Sequence, residues 1–197
     1  MGKVFEQLEP KLVEWIGRQP LFFVGTAPLD PRGHMNISPK GPIDTLRILD
    51  GRRIAYLDYV GRGAETIAHL NENGRVVVML CAFAGPPRIV RLHGRGRVHQ
   101  LGTPEFDALY ARFEPGERAP ASRSVVVVEI DRIADSCGYG VPLMRFESER
   151  PQQLDWIDRK LRTGPTAIVE YMKERNSASL DGLPALDPET LPDSKKL

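Results

Sequence analysis

Residues 89–98 alternate without a break, with Val90, Leu92, Gly94, Gly96 and Val98 on one side of the chain and Arg91, His93, Arg95 and Arg97 on the other. A period of two sustained over that length describes a β-strand with one covered face. Around it lie further strand-like runs. Arg75 to Phe83 is apolar on both faces, as a central strand is, and Ser124 to Ile130 is rich in valine. Leu21 to Thr26 is aromatic and β-branched, and Ile54 to Tyr59 follows the same habit. Asp30-Pro31-Arg32-Gly33 has proline second and glycine fourth, a turn signature, so His34 to Ile37 reads as a return strand. Six strands, at 21–28, 34–38, 53–59, 75–83, 88–98 and 124–131, with only two or three helices between them, do not fit a parallel βαβ sheet. The pattern predicts a mostly β chain, a small antiparallel barrel carrying peripheral helices.

Helical spacing appears in four places. Val4, Leu8, Leu12 and Trp15 recur at four, four and three residues and end before Pro20. A helix is predicted from Ala64 to Glu72, closed by Asn73-Gly74. Thr103 caps a short helix that opens on Pro104. Beyond Pro151, Leu154, Ile157 and Leu161 and then Ile168, Tyr171 and Met172 predict a helical C-terminal extension. The expected division is a barrel domain over 1–145, the extension over 146–180, and an extended or disordered tail over 181–197, where Pro184, Pro188 and Pro192 interrupt any period.

Charge and cysteine content narrow the classes of function. The 197 residues carry 27 Lys and Arg against 26 Asp and Glu, a formal charge of +1. That balance argues against a general nucleic-acid coat, which needs excess cations to neutralise phosphates. Cys81 and Cys137 are too few for a disulfide scaffold or a four-thiolate zinc site. The apolar runs fall far short of the roughly 20 residues of a membrane helix. Glu6 and Glu9 precede any apolar core, unlike a secretory signal. The expectation is a cytoplasmic protein with reduced thiols and neither nucleic-acid nor membrane partners.

The richest chemistry lies in Asp58-Tyr59-Val60-Gly61-Arg62-Gly63-Ala64-Glu65-Thr66, where a strand ends and a helix starts. Glycines there let backbone approach a ligand, and the free N–H groups of a first helical turn attract anions. Arg62 can add a charge-assisted contact to phosphate, or simply point into water. The stretch lacks the third glycine of a dinucleotide fingerprint and the Gly-Lys-Ser/Thr of a phosphate-binding loop. Ser38-Pro39-Lys40-Gly41 offers a hydroxyl and an ammonium beside a rigid turn, at another strand end. The basic row Arg91, His93, Arg95 and Arg97 suits solvent, a ligand phosphate, a carboxylate partner or a subunit interface. Glycines flanking Cys137 and Tyr139 allow close packing against a flat ring or a partner subunit. Cys137 has no adjacent cation to make it a thiolate nucleophile, and Cys81 belongs to an apolar strand. The four histidines, His34, His69, His93 and His99, form no metal-ligand pattern, and there is no Gly-x-Ser-x-Gly elbow.

Taken in order, Phe22-Phe23-Val24-Gly25-Thr26, Asn36-Ile37-Ser38-Pro39-Lys40-Gly41, Tyr56-Leu57-Asp58, Glu65-Thr66-Ile67-Ala68-His69-Leu70 and Asn73-Gly74-Arg75 resemble the pyridoxamine 5'-phosphate oxidase-like family of flavin-binding split barrels. Arg88-Ile89-Val90-Arg91-Leu92-His93-Gly94-Arg95-Gly96 and Ser136-Cys137-Gly138-Tyr139-Gly140-Val141-Pro142 resemble a little-characterised branch of it. The resemblance covers about residues 5–145 and, in that branch, extends through Asn176 and Asp181-Gly182-Leu183-Pro184. It implies a six-stranded antiparallel split β-barrel, a homodimer, and FMN held in a cleft at the dimer interface. It implies cofactor contacts from Ser38, Lys40, Arg62, Gly63, Glu65 and Thr66; Arg91 of the basic row and Cys137 and Tyr139 of the glycine-flanked segment are read as further cofactor-site residues. Arg62 and Ala64 depart from the small hydroxyl residue and Asn more common in the branch. The Arg and Lys cluster and the C-terminal substrate segment of true pyridoxamine phosphate oxidases are not recognisable, so the vitamin-B6 reaction is not implied. The reading is an FMN-dependent oxidoreductase acting on a small molecule, with no metal. The alternatives are a non-catalytic flavin-binding or sensing protein, or a relative that uses deazaflavin or haem.

Overall fold

The alternating segment lies in the middle of one antiparallel sheet in the computed structural model, which describes residues 2–192. The sheet comprises β1 (Val4–Phe5), β2 (Phe22–Thr26), β3 (Asn36–Lys40), β4 (Leu46–Ile48), β5 (Arg53–Tyr59), β6 (Arg75–Cys81), β7 (Ile89–Gln100) and β8 (Ser122–Ser136). Five helices accompany it: α1 (Pro10–Gly17), α2 (Glu65–Asn73), α3 (Pro104–Tyr110), α4 (Gln152–Thr163) and α5 (Ala167–Arg175). Strand order is β3-β2-β6-β7-β8-β5-β4, with β1 added alongside β8. The sheet curls so that Phe22, Val24, Ile54, Tyr56, Val78, Leu80, Val90, Leu92, Val126 and Val128 share one core. The fold is the expected mostly β, antiparallel split barrel with peripheral helices.

Two strands exceed the six expected. β1 and β4 span two and three residues, too short to show a period of their own. Val4 is not on a helix face as its spacing predicted. It pairs with Ala134 on β8 and is 56% exposed. The helix begins instead at Pro10, whose missing N–H costs nothing in a first turn, and it buries Leu12 and Ile16. Other local expectations correspond closely. The Gly33 N–H bonds the Asp30 carbonyl, the Thr103 hydroxyl accepts the Phe106 N–H, and Gly74 closes α2 with φ 70°.

The glycines of β7 matter for the placement of α2. A Cβ at Gly96 would lie 2.8 Å from a Leu70 methyl, so the bare backbone is what lets Leu70 of α2 enter the barrel core. On its other side α2 turns Ile67 and Ala68 into a second core with Ile157, Ile168, Val169 and Met172 of α4 and α5. Residues 181–192 close this core as an irregular, docked segment in which Leu186 and Leu191 are buried. Gly102, at φ 95°, sits directly under the Thr190 carbonyl, with no room for a side chain. The rest of the predicted tail, 193–197, lies outside the described residues. No helix among the described residues is long and apolar enough to cross a membrane.

What joins the two free ends of the sheet is ionic. β3 begins the strand order and β5 stands next to its far end. Lys40, the last residue of β3, places Nζ 2.5 Å from Asp58 Oδ1 on β5. Arg123 on β8 donates from Nε to Asp58 Oδ2 at 2.8 Å and from Nη1 to the Gly63 carbonyl at 2.8 Å. The Asp58 side chain is 1% exposed and that of Arg123 is 4%. Burial alone would raise the Asp58 pKa. The Arg123 guanidinium and the Lys40 ammonium outweigh it and hold the carboxyl at about 2.

Removing one partner of such a group leaves buried charge uncompensated, so Asp58→Asn is expected to cost about 3–5 kcal/mol in urea denaturation. The sign of the pH dependence follows from the lowered pKa. The stabilisation is complete above the unfolded carboxylate's value, near 4, and is lost as pH falls through about 2. The stability difference between the parent chain and Asp58→Asn should narrow by roughly 2 kcal/mol across that window, and a constant difference would contradict the assignment.

Candidate anion-binding site

β3 inverts the usual rule of apolar inside and polar outside. Its register pairs Asn36 with Thr26, Ser38 with Val24 and Lys40 with Phe22. Residues directly opposite in an antiparallel pair share a face, and Phe22 and Val24 are fully buried. Asn36, Ser38 and Lys40 therefore turn toward the barrel interior, while Ile37, 74% exposed, and Pro39 face outward. This polar inner edge, the β5–α2 connection and the start of α2 enclose a cavity of about 280 Å³. Ser38, Pro39 and Lys40 line it from β3, Tyr59, Gly61 and Gly63 from the end of β5 and its connection, Glu65 and Thr66 from α2, and Arg123 from β8.

The electrostatics favour an anion. Two cations, Lys40 and Arg123, surround the single carboxylate of Asp58, so the cluster retains a positive charge at the cavity wall. No side chain caps α2, which begins after Ala64, so its first N–H groups and positive dipole end remain available to a ligand. Glu65, an acid in the wall, accepts the Leu180 N–H at Oε1 at 3.2 Å and rests its Oε2 against Gly63. Burial pushes the Tyr59 phenol up to about 12. Asn36 donates to Thr66 Oγ1 at 2.9 Å and accepts from Ser38 Oγ at 3.2 Å, tying β3 to α2.

The C-terminal extension holds this corner from behind. Asn176, fully buried at the end of α5, donates from Nδ2 to the Gly61 carbonyl at 3.0 Å. Asn71 of α2 donates to the Ala185 carbonyl at 2.9 Å, and Gln100 exchanges two hydrogen bonds of 2.9 Å with the Asp187 backbone. Asp181 accepts from the His34 N–H and faces its Nδ1, both at 2.7 Å. The hydrogen bonds from His34 hold the Asp181 carboxyl below its ordinary range.

Of the residues expected from sequence to meet a cofactor, the cavity brings together Ser38, Lys40, Gly63, Glu65 and Thr66. Arg62 is exposed and outside the cavity wall. Arg91 lies on the outward face of β7 and donates to Ser136 Oγ at 3.0 Å. Cys137 is exposed and Tyr139 is 83% exposed, both after the end of β8. Sequence reasoning singled out the stretch that holds Asp58 and Tyr59 without naming either as a cofactor contact, and it missed Arg123 and Asn176 as site components. The inverted polarity of Asn36, Ser38 and Lys40 was visible and would have pointed at the cavity. Arg123, between Ser122 and Ser124 just before the valines at 125–128, gave no clear hint of a buried charge there. Among the described residues, no group of three or more His, Cys, Asp or Glu is placed to hold a metal ion.

Comparison with known proteins places this geometry in a family. The family model described as pyridoxamine 5'-phosphate oxidase matches residues 8–137. Pyridoxamine 5'-phosphate oxidase family protein ustO of Aspergillus flavus is 39% identical over 193 residues, covering 92% of this chain and 77% of that protein. Among solved structures, an FMN-binding protein from Syntrophomonas wolfei subsp. wolfei is similar at a TM-score of 0.45 and 20% identity, over 63% of this chain and 78% of that one. A protein related to general stress protein 26, from Clostridium acetobutylicum, is similar at a TM-score of 0.47 and 10% identity, over 73% of this chain and 94% of that one. The match across residues 8–137 and the identity carried through nearly the whole chain establish that it belongs to the pyridoxamine 5'-phosphate oxidase family.

Proposed function

We propose that the chain binds FMN and serves as a flavin-dependent oxidoreductase for a small organic molecule. The observation that carries this reading is the cavity in which Lys40, Ser38 and Arg123 meet the uncapped start of α2. Its residues fit a phosphate: two cations, Lys40 and Arg123, a hydroxyl, free backbone donors, and glycines where the ligand approaches. At about 280 Å³ it suits the phosphate end of such a cofactor rather than the whole of it. Family membership supports the same reading.

FMN supplies the hydride or electron transfer when bound. The protein's tasks are binding, orientation and exclusion of water. Lys40 and Arg123, fixed by Asp58, supply charge at the phosphate without losing side-chain freedom on binding. Ser38 adds a hydroxyl contact, and Asn176 fixes the Gly61 carbonyl so that the connection presents its N–H groups inward. In this reading the working unit is a homodimer. A second copy would cover Met35 and Ile37, 80% and 74% exposed, and Arg91, Cys137 and Tyr139 would contribute across that boundary.

Titration with FMN, followed by quenching of flavin fluorescence, is expected to saturate at one cofactor per chain. Lys40→Ala should weaken binding by about 1–3 kcal/mol, the range for hydrogen bonds to charged groups. Arg62→Ala should change it by less than about 0.5 kcal/mol, as expected of an exposed surface residue. A chain that shows no saturable binding, or in which Arg62 matters and Lys40 does not, contradicts the reading. Asn176→Ala leaves every cavity residue in place and is expected to weaken FMN by about 0.5–1.5 kcal/mol, one hydrogen bond's contribution. Unaltered affinity would show that the corner is positioned from elsewhere.

A further inference from the structure

A second and much larger concavity, about 1730 Å³, adjoins the first, and Pro39 and Lys40 belong to the walls of both. It runs between the end of α1, the end of β3, the β6–β7 connection and the segment leading into α4. We propose that this groove is the substrate site, and that it takes an elongated organic acid with an aromatic or long apolar body. The assignment rests on the flavin reading for the word substrate, and on the groove alone for the chemistry of the ligand.

The body of the ligand is specified by the walls. Trp15, Leu21, Phe83, Met144 and Phe146 line the groove, with Met144 and Phe146 each 58% exposed. Pro20, Pro39, Pro42, Pro86 and Pro87 line it as well, so much of the backbone has few conformations to lose on binding. The arch over residues 144–150 is tied down where the Met144 N–H meets the Phe83 carbonyl at 2.8 Å. The volume exceeds the roughly 300–1,000 Å³ of most small-ligand pockets, which favours an extended ligand over a compact polar one.

The acid group is specified by cations already held in place. Arg88 lies over the Trp15 ring at 5.2 Å and donates from Nε and Nη2 to Asp135 at 3.1 and 2.9 Å. Its position is therefore fixed while Nη1 stays available to a carboxylate. Arg118 is oriented by the neutral amide of Gln153, at 3.2 Å, rather than by a carboxylate. Arg145 and Arg150 add to these, against Asp44 and Glu149 as the lining acids. Pre-oriented guanidinium groups are suited to planar carboxylates, Arg88 through Nη1 and Arg118 through its two terminal nitrogens. An anion with an apolar body satisfies both the walls and the charges.

The test uses the full chain carrying Trp156→Phe, which leaves Trp15 as the one tryptophan, and 2-naphthoate as probe. Naphthoate is expected to quench Trp15 fluorescence saturably, and the neutral 2-naphthylmethanol to bind at least about tenfold more weakly. Arg118→Gln and Arg88→Gln should each weaken naphthoate about tenfold. The first tests the charge without touching the Asp135 pair. Equal binding of acid and alcohol, absence of saturation, or indifference to both substitutions overturns the proposal. So does absence of quenching together with self-association lost in Phe146→Ser, which would assign the groove to a second copy. The FMN titration keeps the two readings apart. FMN bound without naphthoate overturns the groove assignment alone, and naphthoate bound without FMN supports the groove and overturns the flavin reading.

Discussion

A single buried carboxylate connects the fold to its site. Asp58 stands between Lys40 from the first strand of the sheet order and Arg123 from a strand near the other end. An open sheet of this kind leaves two edges that no backbone ladder joins. Here the inner face of one edge strand carries Asn36, Ser38 and Lys40, so it cannot be sealed by apolar packing. The ion cluster joins what the ladder does not, and it does so with one more cation than anion. The same excess that would be a liability in a closed core becomes an attraction for a ligand anion at the wall of a cavity. In the proposed reading, stability and phosphate binding draw on the same three side chains.

The C-terminal helices belong to this arrangement. They share a core with α2 through Ile67 and Ala68, and their end supplies Asn176 to the Gly61 carbonyl. The corner that presents free N–H groups is therefore fixed on one side by Arg123, through the Gly63 carbonyl, and on the other by the extension. Neither contact uses the N–H groups a ligand would need. α2 itself is set by an absence, since the bare backbone of Gly96 is what admits Leu70 to the barrel.

Much of the fold was legible because its strands are long and its periods clean. The alternation at β7, the two-faced apolar run at β6 and the valines of β8 each specify burial directly. β1 and β4 were not legible because two or three residues carry no period. The first helix was read too early because Val4 happens to fall in helical phase with Leu8 and Leu12, although Pro10 sets the actual start. At the site, the glycine-flanked corner and Ser38 and Lys40 were visible as residue types suited to an anion. Asp58 and Arg123 were not, because a lone charge in an apolar strand reveals its partner only when distant strands are brought into register. Asn176, 115 residues from Gly61, carries no local signal at all.

The central claim is that the cavity beside Asp58 is where this chain holds a cofactor phosphate. A crystal structure with FMN bound tests it most directly. The account predicts the phosphate within about 3 Å of Lys40 Nζ or Ser38 Oγ and of the first N–H groups of α2. A phosphate seated instead on the outward row of Arg91, Arg95 and Arg97, with the cavity filled only by water, would contradict it.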